Sequence, residues 1–187
     1  MTHAIEFAPG LVIQGIDAPQ SLAAYKLIAF DMDSTLINIE CVDEIADAAG
    51  RKAQVAAITE AAMQGVITDY KESLRQRVAL LKGVTVQHME QVFTERLRFN
   101  PGAQALVAAA KAAGLTTLLV SGGFTFFANR VRAGLGIDFA RSNMLEIVNE
   151  RLTGRMVDQD WGDICDGEEK RRTLLEVASL MDISPAQ

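Results

Sequence analysis

The chain has 187 residues, of which 49% are hydrophobic, and its formal net charge is -6 at pH 7 with an isoelectric point near 5.0. A chain of this size and composition can bury a core sufficient for one domain with a smaller inserted one. The acidic balance offers no basic field to a polyanion, so nucleic acid is not expected as a partner, and no apolar run approaches the roughly 20 residues that span a bilayer.

The first 25 residues form an N-terminal extension with a short predicted strand at 11–15. They lack a basic region followed by an apolar segment and a small-residue cleavage site, so the expected location is cytoplasmic. Cys41 and Cys165 lie far apart in the chain and have no CxxC or histidine-rich company. This argues against a disulfide framework or a zinc site and favours packing roles.

An apolar strand predicted at 26–31 delivers two carboxylates, Asp31 and Asp33, at its end. Residues two apart on an extended backbone point to the same side, and the carboxyl ends of buried parallel strands open onto the ligand crevice. Two like charges at one site need a bound cation or a proton, and both suit phosphoryl chemistry. A solvated turn is the alternative interpretation, which the Ser-Thr-Leu sequence that follows makes less favourable.

A block of helical periods separated by glycines follows, from residue 40 to residue 98. Glycine just past a helix end is the usual left-handed cap, and Val42, Ile45, Ala46 and Ala49 repeat with the spacing of one buried helical face. The predicted helices are 40–49, 52–64, 68–82 and 86–98. The block is therefore predicted to be a small helical bundle, inserted after the acidic turn and placed to cover it.

Helices and strands alternate again after the bundle. Asn100 as the N-cap and Pro101 at the first helical position start a predicted helix that runs to Gly114, and the continuous apolar strand at 115–120 is typical of a parallel sheet. The other predicted elements are a helix at 125–135, a hairpin at 143–157 turning at Asn149 and Glu150, and a helix at 167–181 that starts with a capping box of Asp166 and Glu169.

Two further groups suit a phosphoryl ligand. Ser121 is followed by Gly122 and Gly123, and a hydroxyl with unhindered N–H groups at a helix N-terminus can hold a phosphoryl group, although a tight turn of small residues explains the same sequence. Lys170 lies in the first turn of its helix, where its charge opposes the helix dipole, so a functional reason is expected. A solvent-facing lysine is the alternative, and Arg171 competes if the helix register differs by one.

The sequence Asp-Met-Asp-Ser-Thr-Leu-Ile from residue 31, with Ser121 and Lys170, resembles the motifs of the haloacid dehalogenase superfamily. The first motif is most similar to that of its phosphoserine phosphatase family. The resemblance covers nearly all of residues 26–187. It implies an α/β fold in which 26–39 and 99–187 form a Rossmann-like parallel sheet core and 40–98 form an inserted helical cap.

The resemblance also implies the activity and its residues. The expected reaction is hydrolysis of a small phosphate ester, O-phosphoserine, in the last step of serine biosynthesis. Asp31 would attack phosphorus and Asp33 would act as general acid and then general base. Mg²⁺ would bind the Asp31 carboxylate, the Asp33 main-chain carbonyl and a phosphate oxygen, while Ser121, Gly122 and Lys170 would hold the phosphoryl group.

In the resembling family the cap supplies side chains that bind the amino-acid part of the substrate, and these fall on Glu40, Met63, Tyr70 and Arg77. Glu40 would accept from the ammonium group, and Arg77 would bind the carboxylate. Tyr70 stands where relatives often have phenylalanine. The alternatives are that Met63 fills the core and that Arg77 is a solvated residue of a charged helix.

One departure from the superfamily pattern concerns the end of the chain. A further acidic motif, Gly-Asp-x-x-x-Asp, is expected on the strand after the lysine-bearing helix, and this sequence ends at about that point. The expectation is therefore a fragment with an unpaired strand edge, weak Mg²⁺ binding and little turnover. A homodimer through that edge is compatible with the sequence.

Three other functions are compatible with the sequence. A superfamily phosphatase or phosphotransferase for another ester, such as homoserine phosphate, would differ mainly in its cap residues. A phospho-aspartate receiver uses similar groups, but its acceptor lies on a mid-chain strand and no helical bundle interrupts its order. A catalytically silent binding fragment is the third.

Overall fold

A computed structural model of the protein describes residues 5–15 and 20–186. The strands are β1 (Ile5–Ala8), β2 (Leu11–Ile13), β3 (Leu27–Phe30), β4 (Thr116–Phe124), β5 (Phe139–Val148) and β6 (Arg151–Val157). The helices are α1 (Cys41–Ala48), α2 (Lys52–Met63), α3 (Tyr70–Ala79), α4 (Val86–Gln91), α5 (Ala103–Ala112), α6 (Thr125–Leu135) and α7 (Gly167–Leu180).

The main sheet has the strand order β3-β4-β5-β6. β3 and β4 pair in parallel, as do β4 and the first half of β5, whereas β6 pairs antiparallel with the second half of β5. Parallel pairs need helical crossovers. In the chain α5 precedes β4 and α6 follows it, and these two helices supply the crossovers. This is the α/β fold with a parallel sheet core that the sequence predicts. Among the described strands, β3 has one neighbour and forms an edge of the sheet.

Helices α1 to α4 lie between β3 and α5, and we call residues 40–98 the cap segment. The chain enters and leaves it side by side, because Ile37 pairs with Phe99 and the Asn38 N–H donates to the Arg98 carbonyl at 3.0 Å. One hydrophobic cluster includes Ile45 of the cap segment and Phe124 of β4. The cap segment is therefore packed onto the sheet, above the end of β3.

A second attachment joins the cap segment to the hairpin of β5 and β6. The hairpin turns at Asn149 and Glu150, which both have positive φ, as a tight two-residue turn requires. The Gly83 N–H donates to the Leu152 carbonyl at 2.7 Å, and the Val86 N–H donates to the Glu150 carbonyl at 3.0 Å. We call these contacts the hairpin seam.

Two predictions of helix limits were wrong. α5 starts at Ala103 with Gly102 as its N-cap, because the Asn100 side chain donates instead to the carbonyls of Thr35 and Ile37 at 2.8 and 3.0 Å. The helix predicted at 86–98 is α-helical only over α4. Residues 92–96 form a wider, π-helical turn, and the helix ends there.

The capping box of α7 is only half formed. Asp166 accepts from the Glu169 N–H at 2.8 Å, but the Glu169 carboxylate pairs with Arg141 at 2.9 Å. Across residues 5–15 and 20–186, every helix is too short or too polar to cross a membrane.

Candidate active site

The acidic turn begins where β3 ends. Asp31 Oδ1 accepts the backbone N–H of Met32 at 2.8 Å, and the turn closes with a bond from the Ile37 N–H to the Met32 carbonyl at 3.1 Å. Ser34 has a φ of 53°, an uncommon conformation for a residue with a side chain. This tight turn leaves the Asp31 side chain exposed at the carboxyl end of the sheet, where it lines a cavity.

Asp33 is the more buried of the two acids. Its Oδ2 accepts the Cys41 N–H at 3.2 Å, and its Oδ1 accepts the Cys41 thiol at 3.1 Å. Burial raises the pKa of Asp33 to about 6, and the hydrogen bonds from Cys41 oppose that rise. Asp33 can therefore hold a proton at mildly acidic pH and release it near neutrality.

Lys170 reaches Asp31 from the first turn of α7. Its Nζ forms an ion pair with Asp31 Oδ2, which explains a lysine at this end of a helix. The competing Arg171 pairs with Glu168 at 3.1 Å and does not line the cavity. The structure therefore places Lys170, and not Arg171, beside the acidic turn.

The predicted turn at Ser121 to Gly123 is instead the last part of β4, where the pairing with β5 shifts register between Ser121 and Phe124, and α6 begins only at Thr125. We keep the name small-residue turn for these three residues, which lie opposite the two acids. The Gly123 N–H donates to Ser121 Oγ at 3.0 Å. A Cβ on Gly123 would meet Met32 Cε at 2.7 Å and Asp33 Oδ2 at 3.3 Å. Glycine at this position therefore lets the turn approach the carboxylates closely enough to share one ligand with them.

Three cap residues line the same cavity. Glu40 precedes α1 and accepts the Ser34 hydroxyl at 2.5 Å, so the acidic turn fixes its direction. Tyr70 starts α3, and burial raises its pKa to about 12, which keeps the phenol protonated. Arg77 is half-buried on α3 and lies in the cavity wall. Met63 is the last residue of α2, and its side chain lies outside what the structure describes.

These groups enclose a cavity of about 220 Å³. Its walls carry three acidic side chains and two basic ones. The lining residues are Asp31, Asp33, Glu40, Val42, Tyr70, Leu74, Arg77, Ser121, Gly122, Gly123, Phe124 and Lys170. The charges are therefore mixed in sign, which suits a small ligand that itself carries both signs.

The donor set suits a hard divalent cation. No group of three or more acidic, histidine or cysteine side chains that could hold a metal occurs in the described part of the chain. Mg²⁺ is commonly bound by one or two carboxylates together with waters and substrate phosphate. The Asp31 carboxylate meets that smaller requirement, and the other oxygen groups that line the cavity fit such an ion.

Two residues that support the site were not identified from the sequence. Asn143 is fully buried on β5; its side chain donates to the Gly122 carbonyl at 2.8 Å and accepts the Cys165 N–H at 2.7 Å. It thereby ties the small-residue turn to the segment before α7. No signal in the sequence indicates it, because the residues before it on β5, Arg141 and Ser142, are polar as well. Cys41, interpreted as a packing residue, is buried but also contacts Asp33.

Comparison with known proteins agrees with this geometry. The model of the haloacid dehalogenase-like hydrolase family matches residues 28–186. The phosphoserine phosphatase of Albidiferax ferrireducens is 69% identical over 185 residues, which cover 99% of this chain and 78% of that protein. That of Polaromonas sp. is 69% identical over 182 residues, which cover 97% of this chain and 77% of that protein.

Solved structures give the same relationship. A phospho-aspartyl intermediate analogue of phosphoserine phosphatase superposes with a TM-score of 0.76 at 36% identity, covering 85% of this chain and 73% of that chain. A substrate-bound phosphoserine phosphatase complex superposes with a TM-score of 0.76 at 35% identity and the same coverage. The chain therefore belongs to the haloacid dehalogenase-like hydrolase family and, within it, to the phosphoserine phosphatases.

Proposed function

We propose that this cavity hydrolyses O-phosphoserine to serine and phosphate through an aspartyl phosphate on Asp31. The observation that carries the proposal is the meeting of Asp31, Asp33, Ser121 and Lys170 at one cavity whose cap side presents Glu40 and Arg77. The likeness to phosphoserine phosphatases supports the same substrate.

The charges of the cavity match those of phosphoserine. The Glu40 carboxylate can accept from the substrate ammonium, and the Arg77 guanidinium can bind its carboxylate through two hydrogen bonds. Lys170, Ser121 and the N–H groups of the small-residue turn can bind phosphoryl oxygens. The Tyr70 hydroxyl lies against Gly122 on the cap side of the cavity.

In the first step an Asp31 carboxylate oxygen attacks phosphorus and the bond from phosphorus to the serine oxygen breaks. Asp33 gives its proton to that oxygen, so serine leaves as an alcohol. Lys170, released from its ion pair with Asp31, balances the charge of the transferred group. In the second step water attacks phosphorus while Asp33 takes a proton from that water. The bond from phosphorus to the Asp31 oxygen breaks, which releases phosphate and restores the free Asp31 carboxylate.

We propose Mg²⁺ as the divalent ion, bound by the Asp31 carboxylate and the Asp33 main-chain carbonyl. When bound, it neutralises negative charge on the nucleophile and on the phosphoryl oxygens. The remaining contributions come from the side chains described above.

Phosphate release tests the proposal. The protein is mixed with Mg²⁺ and, separately, with O-phosphoserine, homoserine phosphate and glucose 6-phosphate. Preferential release from O-phosphoserine is expected; preference for either other ester contradicts the substrate assignment. Absence of release from all three would favour a silent binding fragment.

Arg77→Gln tests how the substrate carboxylate is bound. We expect KM for O-phosphoserine to rise about 10- to 100-fold, which corresponds to the loss of a hydrogen bond to a charged group. The matched control is Arg75→Gln on the same helix, because Arg75 pairs with Asp163 at 2.6 Å outside this cavity. Equal KM changes in the two variants would contradict the assignment.

Gly122→Ala tests the contact between the cap segment and the small-residue turn. Its Cβ would overlap the Tyr70 hydroxyl, so we expect kcat/KM to fall about tenfold or more as Tyr70 is displaced. Tyr70→Phe removes the overlapping oxygen, and the double variant is expected to recover most of the loss, as coupled neighbours do. Gly167→Ala, whose Cβ would meet nothing within 4 Å, is the control. A double variant as slow as Gly122→Ala would contradict this contact.

A further inference from the structure

Cys41 contacts both oxygens of the Asp33 carboxyl group. It is the first residue of α1 and is fully buried. Its backbone N–H donates to Oδ2 at 3.2 Å and its thiol donates to Oδ1 at 3.1 Å. Two donors from one residue at a helix N-terminus fix both the position of the carboxyl group and its rotation about the Cβ–Cγ bond.

The rotation decides which oxygen faces the substrate. Oδ2 lies 3.3 Å from the point where a Cβ on Gly123 would sit, whereas Oδ1 is turned toward the buried thiol. Because Gly123 has no side chain, the space between Oδ2 and the small-residue turn stays open. The thiol therefore binds Oδ1, the oxygen that is not needed for the reaction. Oδ2, which also accepts the Cys41 N–H, faces the phosphoryl site.

We propose that Cys41 is a positioning residue, whose thiol holds Asp33 Oδ1 so that Oδ2 faces the oxygen of the departing alcohol. The proposal rests on the function proposed above. Burial and the neighbouring Asp33 hold the pKa of the Cys41 thiol well above its usual range, so it acts as a hydrogen-bond donor and not as a thiolate.

The thiol can be separated from its volume by two small substitutions. Cys41→Ala removes the donor, and Cys41→Ser keeps a hydroxyl donor at the same place; neither overfills the buried site. The second buried cysteine gives a matched control, since Cys165→Ala removes a thiol from the core without removing a donor to Asp33. Circular dichroism and unfolding curves show whether each variant retains the fold.

Two substrates with different leaving groups give the kinetic test. Serine leaves as an alcohol and needs a proton, whereas p-nitrophenyl phosphate releases a stable phenolate and needs none. We compare kcat/KM, which does not include hydrolysis of the aspartyl phosphate. Cys41→Ala is expected to lower it about tenfold for O-phosphoserine and less than about twofold for p-nitrophenyl phosphate, as expected for losing one hydrogen bond that acts only on proton transfer. Cys41→Ser is expected to restore the O-phosphoserine value to within about threefold.

Equal losses on both substrates in Cys41→Ala, equal effects of the alanine and serine variants, or the same split in Cys165→Ala would each overturn the proposal. An infrared measurement decides the matter without turnover, so its failure is distinguishable from failure of the proposed function. The S–H stretching band of Cys41, obtained as the difference between wild type and Cys41→Ala, is expected at a lower wavenumber than that of Cys165. In an Asp33→Ala background it is expected to rise; an unshifted band would show that the thiol does not hold Asp33.

Discussion

Asp31→Asn is expected to lower turnover of O-phosphoserine by about 10⁴-fold or more, because an amide cannot serve as the covalent nucleophile. Acid quenching during turnover, followed by mass spectrometry, is expected to find phosphate on the peptide containing Asp31 in the wild type and none in the variant. The fold should persist. The ion pair between Asp31 and Lys170 is partly exposed, and such pairs contribute at most about 1 kcal/mol.

The control for this experiment is Glu40→Gln, which makes the same isosteric change to another carboxylate of the cavity. It is expected to weaken substrate binding while covalent labelling of Asp31 persists. An Asp31→Asn variant with turnover within tenfold of wild type would refute the covalent mechanism, whatever the substrate.

Asp33→Asn is expected to have opposite effects on activity and stability. Losing the general acid and base should lower kcat by about 10²- to 10⁴-fold. Burial raises the folded-state pKa of Asp33 from 3.8 to about 6, so the folded protein binds this proton more tightly than the unfolded chain. The free energy of unfolding therefore falls as pH rises from about 3.8 to about 6 and stays lower above that range, by up to about 3 kcal/mol.

Asparagine cannot ionise, so the variant should lose this pH-dependent fall. Denaturant unfolding of the metal-free proteins at pH 4 and pH 8 measures it. The free energy of unfolding of the variant minus that of wild type is expected to be larger at pH 8 than at pH 4. The asparagine amide can place an oxygen toward only one of the two Cys41 donors, which reduces the gain. An unchanged pH dependence in Asp33→Asn would show that the burial of Asp33 does not shift its ionisation.

The elements that the sequence predicts well are those fixed by neighbouring residues. The apolar run before Asp31, the helix at 125–135 and the hairpin turn at Asn149 depend on local propensity and turn chemistry, and the structure has each of them. The helix at 86–98 was predicted too long because its end is set by distant residues. Arg96 is held by Glu44 and Asp47 of α1, a contact that periodicity does not show.

The candidate site divides in the same way. Asp31, Asp33, Ser121 and Lys170 stand in short motifs that can be read from the sequence, and the structure brings them to one cavity. The supporting contacts join residues far apart in the chain and carry no local pattern. Asn143 lies 21 residues from the glycine it holds, so its role could be recognised only after folding placed β5 beside β4.

The hairpin seam limits how far the cap segment can move away from the sheet core. A cap attached only through its two connecting strands could rotate as a rigid body. Here the backbone amides of Gly83 and Val86 also donate to carbonyls of the hairpin. Moving the whole cap segment away would break these main-chain hydrogen bonds. The cap segment and the sheet core should therefore unfold as one cooperative unit.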